Sequence, residues 1–302
     1  MGKIMRNMIF FICLCILSFN SHADAKKIDY TYHYWDLKAS EKRDDYQFRL
    51  LELALKKTVA SHGQFELTKN NEKYTSLRSR RELERGEVIN IIALPTPIWP
   101  NSVADGKSPF TIKKPLLRGL LGYRKLVIRS SDLPKFERIN SVAELQHLSA
   151  GQGRDWEDIN IYRRNNYTVV DNADYFNLFA MLASGRFDYI PLSVIEIDDM
   201  MARFSRYSKD FVVVPNIIIY YPFPVLYNIS VHHPELVARL DEGLDIAQAD
   251  GSFKQLFESY FAGEQEKLKA QNLKLFVLKN PNIPGNLGLD KPVLVHDYKI
   301  MQ

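Results

Sequence analysis

The stretch GQGRDWEDI, residues 151–159, decides which kind of α/β fold this chain adopts. Two glycines one residue apart, ahead of an acidic segment, match the opening of a nucleotide-binding loop and equally a backbone cradle for another small ligand. A dinucleotide-binding turn places its third glycine at position 156, where this chain has Trp156, and it follows the first strand of its domain. A phosphate-binding loop needs Gly-Lys followed by Ser or Thr, and that sequence is absent. Neither nucleotide pattern is met. What remains is a pair of glycines, Gly151 and Gly153 with Gln152 between them, that lets backbone N–H groups approach a ligand at a helix start. Asp155, Glu157 and Asp158 already compensate the helix dipole and repel an anion, and Arg154 offsets them only in part. The expected occupant is neutral or zwitterionic, or has its carboxylate bound elsewhere; a glycine turn with no ligand is the alternative.

Around this stretch the chain reads as two successive α/β series. Residues 28–35 alternate like a strand, and from Asp44 onward Phe48, Leu51, Leu55 and Val59 share one helical face. Gly63 ends that helix. A short strand (64–68), a polar helix (75–84) and a buried strand (88–94) complete the first series. Pro95, Pro97 and Pro100 then bracket Thr96 and Trp99 in a stiff loop that excludes helix. An extended apolar run at 116–129 leads into the second series, with a helix at 141–147, the quoted glycines, a helix from Asp155, a strand at 167–170, a helix at 174–184 and a strand at 187–192. The pattern restarts, so two lobes are expected. Strands at 211–214, 217–221 and 225–231 follow, and then two helices, the first opening at Pro234. The tail from Leu273, with Pro281, Pro284 and Pro292, is expected to pack as coil on one lobe.

Composition places the chain among ordinary globular proteins: 302 residues, 46% hydrophobic and 25% charged, enough for one large domain or two smaller ones. Lys3 and Arg6, an apolar run over 8–19 and the small residues of SHADA (21–25) have the order of a cleavable secretory signal peptide, with a retained anchor as the alternative. The run falls short of the roughly 20 residues of a spanning helix. Cys13 and Cys15 both lie inside it, so a mature chain would have no cysteine and would depend on its core, as suits a periplasmic domain. The formal charge of +4 falls to about +2 without Lys3 and Arg6, and RSRR (78–81) is interspersed with Glu82 and Glu84 on a helix, so no nucleic-acid partner is expected.

The catalytic templates fail. No Gly-x-Ser-x-Gly and no His-Glu-x-x-His is present, and His232 and His233 are adjacent without a carboxylate cluster to complete a metal site. No catalytic residue, metal or cofactor is expected. Aromatic residues at strand ends are more informative: Tyr34 and Trp35, Trp99, Trp156, and Tyr221 with Phe223 fall where a cleft for a small organic molecule would be lined. Core packing is the alternative for each.

The order of elements resembles the periplasmic substrate-binding proteins of the amino-acid-binding type, family 3 of the solute-binding proteins, over essentially the whole chain after the leader. The resemblance rests on GYRKLVIR (122–129), similar to a crossing strand, INSVAEL (139–145), the glycine stretch, LFAMLASGRFD (178–188) with its GxxD strand, and PELVARL (234–240). It implies a two-lobe type II architecture with two crossing strands: signal peptide 1–25, lobe 1 over 26–120, lobe 2 over 121–222, and lobe 1 again over 223–302 for the return helices and tail. It also implies a monomer that closes on a small-molecule ligand and presents the closed form to a membrane permease or receptor, as in ABC transport.

Two departures from the family pattern bear on the ligand. Family members carry a Thr and then an Arg after the third strand to hold the ligand's carboxylate; Thr96 matches the Thr, but no Arg stands at that offset, which leaves Arg118 or Arg124 to approach the cleft. The family's acidic residue for the ligand's amino group would fall near Leu192 and Ser193, and no carboxylate occurs until Glu196. The resemblance therefore implies a small polar or aromatic organic ligand rather than a plain amino acid. A dehydratase-like enzyme with Glu196 as general acid, and a sensory module without a transporter, are the alternatives.

Overall fold

The computed structural model describes residues 30–36, 40–95, 108–154, 156–173, 177–204, 210–283 and 287–302. Residues 1–29, which hold the expected leader, and Thr96, Trp99 and Asp155 lie outside the described residues. The first series comprises β1 (Tyr30–Trp35), α1 (Glu41–Lys57), α2 (Val59–His62), β2 (Phe65–Asn70), α3 (Ser76–Arg85), β3 (Ile91–Pro95) and β4 (Phe110–Thr111). The second comprises β5 (Tyr123–Arg129), α4 (Leu133–Glu137), α5 (Val142–Gln146), β6 (Ser149–Gly153), α6 (Asp158–Arg164), β7 (Thr168–Ala173), α7 (Leu178–Ala183), β8 (Tyr189–Ser193), α8 (Ile197–Arg203), β9 (Phe211–Val213) and β10 (Ile217–Tyr220). The chain ends with β11 (Val225–Ile229), α9 (Pro234–Ala249), α10 (Ser252–Glu266), β12 (Leu273–Val277) and β13 (Tyr298–Ile300).

Among the described residues the strands form two sheets. One has the order β2-β1-β3-β11-β4; the other has β13-β12-β10-β5-β8-β6-β7, with β9 beside β5. In the first lobe β1 pairs in parallel with β2 and β3, and the returning β11 runs antiparallel to β3. Tyr46, Leu50, Leu51, Ala54 and Leu55 give α1 its buried stripe, against which α9 packs through Leu236, Leu240 and Leu244. Gly243 makes that approach possible, because a Cβ there would stand 2.2 Å from the Ala54 carbonyl oxygen. Gly86 ends α3 in the left-handed conformation, φ 71°, as a glycine after a helix does. In the second lobe Ser141 and Glu144 close a capping box on α5. The Asp188 carboxylate accepts hydrogen bonds from the Ser149 N–H (2.8 Å) and hydroxyl (2.9 Å), tying the start of β8 to the start of β6.

Among the described residues the chain passes between the lobes three times, at Gly122 before β5, at residues 221–224 between β10 and β11, and between α10 and β12. The first two passages touch. Tyr221 N–H donates to the Gly122 carbonyl (3.3 Å), and a Cβ on Gly122 would lie 2.0 Å from the Tyr221 carbonyl oxygen. No side chain fits there.

The tail departs from the expected coil on lobe 1. Residues 273–277 alternate Leu, Lys, Leu, and β12 adds in parallel to β10 in the second sheet, followed by β13. Val142 N–H then donates to the carbonyl of Gln302 (3.0 Å). The range 223–302 is thus divided, with β11, α9 and α10 on the first lobe and β12 and β13 on the second. The three prolines concealed this: Pro281 and Pro292 fall between the strands, where they remove no ladder donor. The 116–129 run is also not one extended segment, since a 3-10 turn at Leu120–Gly122 precedes β5.

Gly122→Val is expected to destabilise by about 1–3 kcal/mol through overpacking at the crossing, whereas Gly263→Ala in α10, where a Cβ meets nothing within 4 Å, should be neutral or stabilise by up to about 1 kcal/mol. Urea midpoints of the two variants check this; equal midpoints would contradict the contact. Asp188 gives a pH test. Burial pushes its carboxyl up, but Lys135 at 2.8 Å and the Ser149 donors outweigh that and hold it below the ordinary carboxylate range. A depressed folded value contributes stability that is complete above the unfolded value and is lost as pH falls through the folded one. Asp188→Asn should therefore flatten the loss of unfolding free energy below about pH 4, and an unchanged acid limb in urea titrations would argue against it.

Candidate functional site

A cavity of about 1170 Å³ lies between the lobes. From the first lobe it takes the opening of α1 (Ser40, Lys42, Arg43), Pro95 at the end of β3 and Tyr260 of α10; from the second it takes Arg124, Trp156, Asp158, Glu196 and Met200; Phe223 of one crossing lies at its base. Strand ends and helix starts converge here because β5, β6 and β8 all finish or begin beside the crossings.

The polar centre is Arg124, only 4% exposed. Its Nη2 lies 2.7 Å from Asp158 Oδ1 at the start of α6, and its Nη1 lies 3.7 Å from Glu196 Oε2. The guanidinium faces the rings of Tyr221 (5.2 Å) and Phe223 (5.3 Å), a cation–π arrangement on both. Tyr221 donates its hydroxyl to the same Asp158 oxygen. Burial works against the Arg124 charge, but Asp158, Tyr221 and Glu196 outweigh it and raise the group above its ordinary value. Burial likewise pushes the Tyr221 phenol well up, so it remains a donor. From the opposite lobe Arg43 Nη1 reaches Glu196 Oε1 at 2.6 Å. Burial raises the carboxyl of Glu157, which also lines the cavity.

Of the expected residues that are described, the structure brings Arg124, Trp156, Glu196 and Phe223 together around this space, with Tyr221 against Arg124, and places Tyr34, Trp35, Arg118, Arg154 and Ser193 elsewhere. Tyr34 packs on Phe48 with its hydroxyl donating to Gln47 (3.3 Å), and Trp35 donates its indole N–H to the Glu72 carbonyl (2.9 Å) inside a small cluster with Leu83, Ile89 and Ile92. Both are core residues of the first lobe. Arg118, at φ 50°, lies over the Phe257 ring (5.5 Å), and Arg154 is exposed outside the cavity lining. Ser193 is fully buried opposite Arg124 in the β5–β8 register, and its hydroxyl accepts from Ile195 N–H (3.4 Å).

The glycines are strand residues of β6, not an open loop before a helix, and α6 begins at Asp158. A Cβ at Gly151 would meet the Phe187 ring at 2.3 Å, and one at Gly153 would meet the Trp156 indole at 2.5 Å. Their lack of side chains makes room for two rings. Gln152 is fully buried, and both its amide atoms are without a hydrogen-bond partner among the described residues. His233 bonds to Asn90, the Gly86 carbonyl and Glu235, as a helix-entry turn residue does. Sequence reasoning missed Arg43, Asp158 as an ion-pair partner, and Tyr260. The first carries no local signal, and only the register of α1 in the fold turns Arg43 away from solvent.

No protein-family model matches the sequence, and no curated protein matches it. Among the described residues no helix is long and apolar enough to cross a membrane. Solved structures do match. A periplasmic binding protein of Salmonella typhimurium with high arginine specificity is 15% identical over 76% of this chain and 99% of its own, with a TM-score of 0.50. A probable amino-acid ABC transporter extracellular-binding protein of Bacillus subtilis is 14% identical over 78% of this chain and 98% of its own, with a TM-score of 0.53.

Asp158→Ala is expected to cost about 3–5 kcal/mol, because it removes the nearest counter-charge of a buried guanidinium, and Tyr221→Phe about 1 kcal/mol for the lost donor. Urea unfolding of both variants measures this; a cost below that of Tyr221→Phe for the Asp158 variant would mean Arg124 does not depend on it. The two sheets, the touching passages between them and the likeness to these structures together show that the chain has the two-lobe type II fold of the periplasmic binding proteins.

Proposed function

We propose that the chain is an exported solute-binding protein of the family 3 kind, which closes its two lobes on a small polar or aromatic organic molecule and presents the closed form to a membrane permease or receptor. The observation that supports this most is the position of the cavity: both lobes wall it, and the crossings lie at its base, so hinge motion changes its shape directly. Its volume, about 1170 Å³, lies above the about 300–1,000 Å³ usual for small-molecule sites. A solute larger than a single amino acid fits. Trp156, Phe223 and Tyr260 supply aromatic surface, and Arg43, Arg124, Asp158 and Glu196 supply charge that a polar solute can meet. The leader pattern supports export.

A metabolite screen by thermal shift tests the reading. A true solute at 100 times its Kd adds about 2.7 kcal/mol, seen as a rise in Tm of several degrees, and Trp156→Ala should reduce that rise without lowering the Tm of the free protein comparably. Silence across a broad library would remove the proposal.

Glu157 favours a second reading, a dehydratase-like enzyme. Glu196, the expected general acid, is instead engaged by two guanidiniums, whereas Glu157 lines the cavity with its carboxyl raised by burial, as proton donation requires. Incubation with prephenate-like substrates and ultraviolet detection of an aromatic product decides it: turnover lost in Glu157→Gln supports the enzyme, and no turnover in the unaltered protein removes it.

A further inference from the structure

We propose that Arg43 and Arg124 form an anion site that straddles the cleft, and that Glu196 fills it from within, latching the lobes together before any solute arrives. Glu196 divides its two oxygens between the lobes: Oε1 is 2.6 Å from Arg43 Nη1 on α1, and Oε2 is 3.7 Å from Arg124 Nη1 on β5. Both guanidiniums are buried, at 8% and 5% side-chain exposure, while Glu196 keeps 27%. Arg124 already has Asp158 at 2.7 Å within its own lobe, so the second carboxylate is surplus to it. Among the described residues the other carboxylate beside Arg43 is the adjacent Asp44, at a longer 3.6 Å between Nε and Oδ1. The short bond from Glu196 is therefore made to the opposite lobe, where it resists opening. Another ion pair between the lobes, Lys267 with Asp198, is at a rim where Asp198 is 73% exposed, and exposed pairs of that kind hold little.

A carboxylate suspended between guanidiniums of two hinged lobes has the geometry of a bound ligand. A solute that brings its own carboxylate can exchange for Glu196, drawing the side chain out of the site while keeping the lobes bridged; a neutral solute leaves the latch in place. That statement about solutes rests on the solute-binding reading, but the latch does not.

The test uses no solute, so its result and that of the metabolite screen can fail independently. Small-angle scattering of the unliganded protein is compared with that of Glu196→Ala, with circular dichroism as the check on folding. The expected result is a compact unaltered protein, an expanded variant, and recovery of compactness when acetate, the smallest stable carboxylate probe after formate, is added at roughly 100 mM, while sodium chloride at the same ionic strength, where the screening length is about 10 Å, gives no recovery. Identical radii of gyration for the two proteins would overturn the latch, and equal effects of acetate and chloride would overturn the anion site. If Glu196→Ala does not fold, Glu196→Gln, which keeps the shape and removes the charge, takes its place: expansion supports the latch, and an unchanged radius overturns it.

Discussion

The close approach of Gly122 to Tyr221 is the constraint on which the architecture depends. Two chain passages between the lobes meet backbone to backbone, and a single methyl group on Gly122 would collide with the Tyr221 carbonyl. The two passages touch, so two of the connections between the lobes share one place in the fold, and the tail adds a third between α10 and β12. The cavity lies beside the two that touch. Tyr221 is both a hinge residue through its backbone and a wall of the polar centre through its hydroxyl, so the hinge and the site share a residue.

Electrostatics inside the cleft follows from that geometry. Burying Arg124 beside the hinge is unfavourable in isolation; Asp158, Tyr221 and the faces of two rings offset the loss of water. The same arrangement brings acids and bases of opposite lobes within reach of one another, so the unliganded cleft is polar but largely satisfied by itself. A solute must compete with internal partners, which makes selectivity a matter of exchange as much as of shape.

The legible part of the site was the part with a local signal. Trp156 stood next to a glycine pair, and Arg124 stood in a strand similar to a family crossing. Tyr34 and Trp35 met the same criterion, an aromatic at a strand end, and turned inward, because the alternation of β1 assigns faces relative to a sheet whose neighbours the sequence does not display. In sequence the glycines of β6 fit room for a ligand or a plain turn, and in the fold they make room for Phe187 and Trp156; which atoms use the space left by a missing Cβ is a property of packing. Arg43 carries no local signal in the sequence, because the expected helix opens at Asp44, while α1 begins at Glu41 and turns Arg43 inward.

By itself the sequence determined the two α/β series, their restart near residue 120, the helices of the first lobe and the return through α9, since these follow from hydrophobic period, caps and breakers within short windows. Only the tertiary structure decided that the tail crosses to the second sheet as β12, that the two passages meet at Gly122, and that Arg43, Arg124, Asp158 and Glu196 converge. Those contacts join residues 34 to 153 positions apart or strands more than 50 apart in the chain. Local patterns set which face of an element is apolar; where two faces meet is set by the packing of the whole.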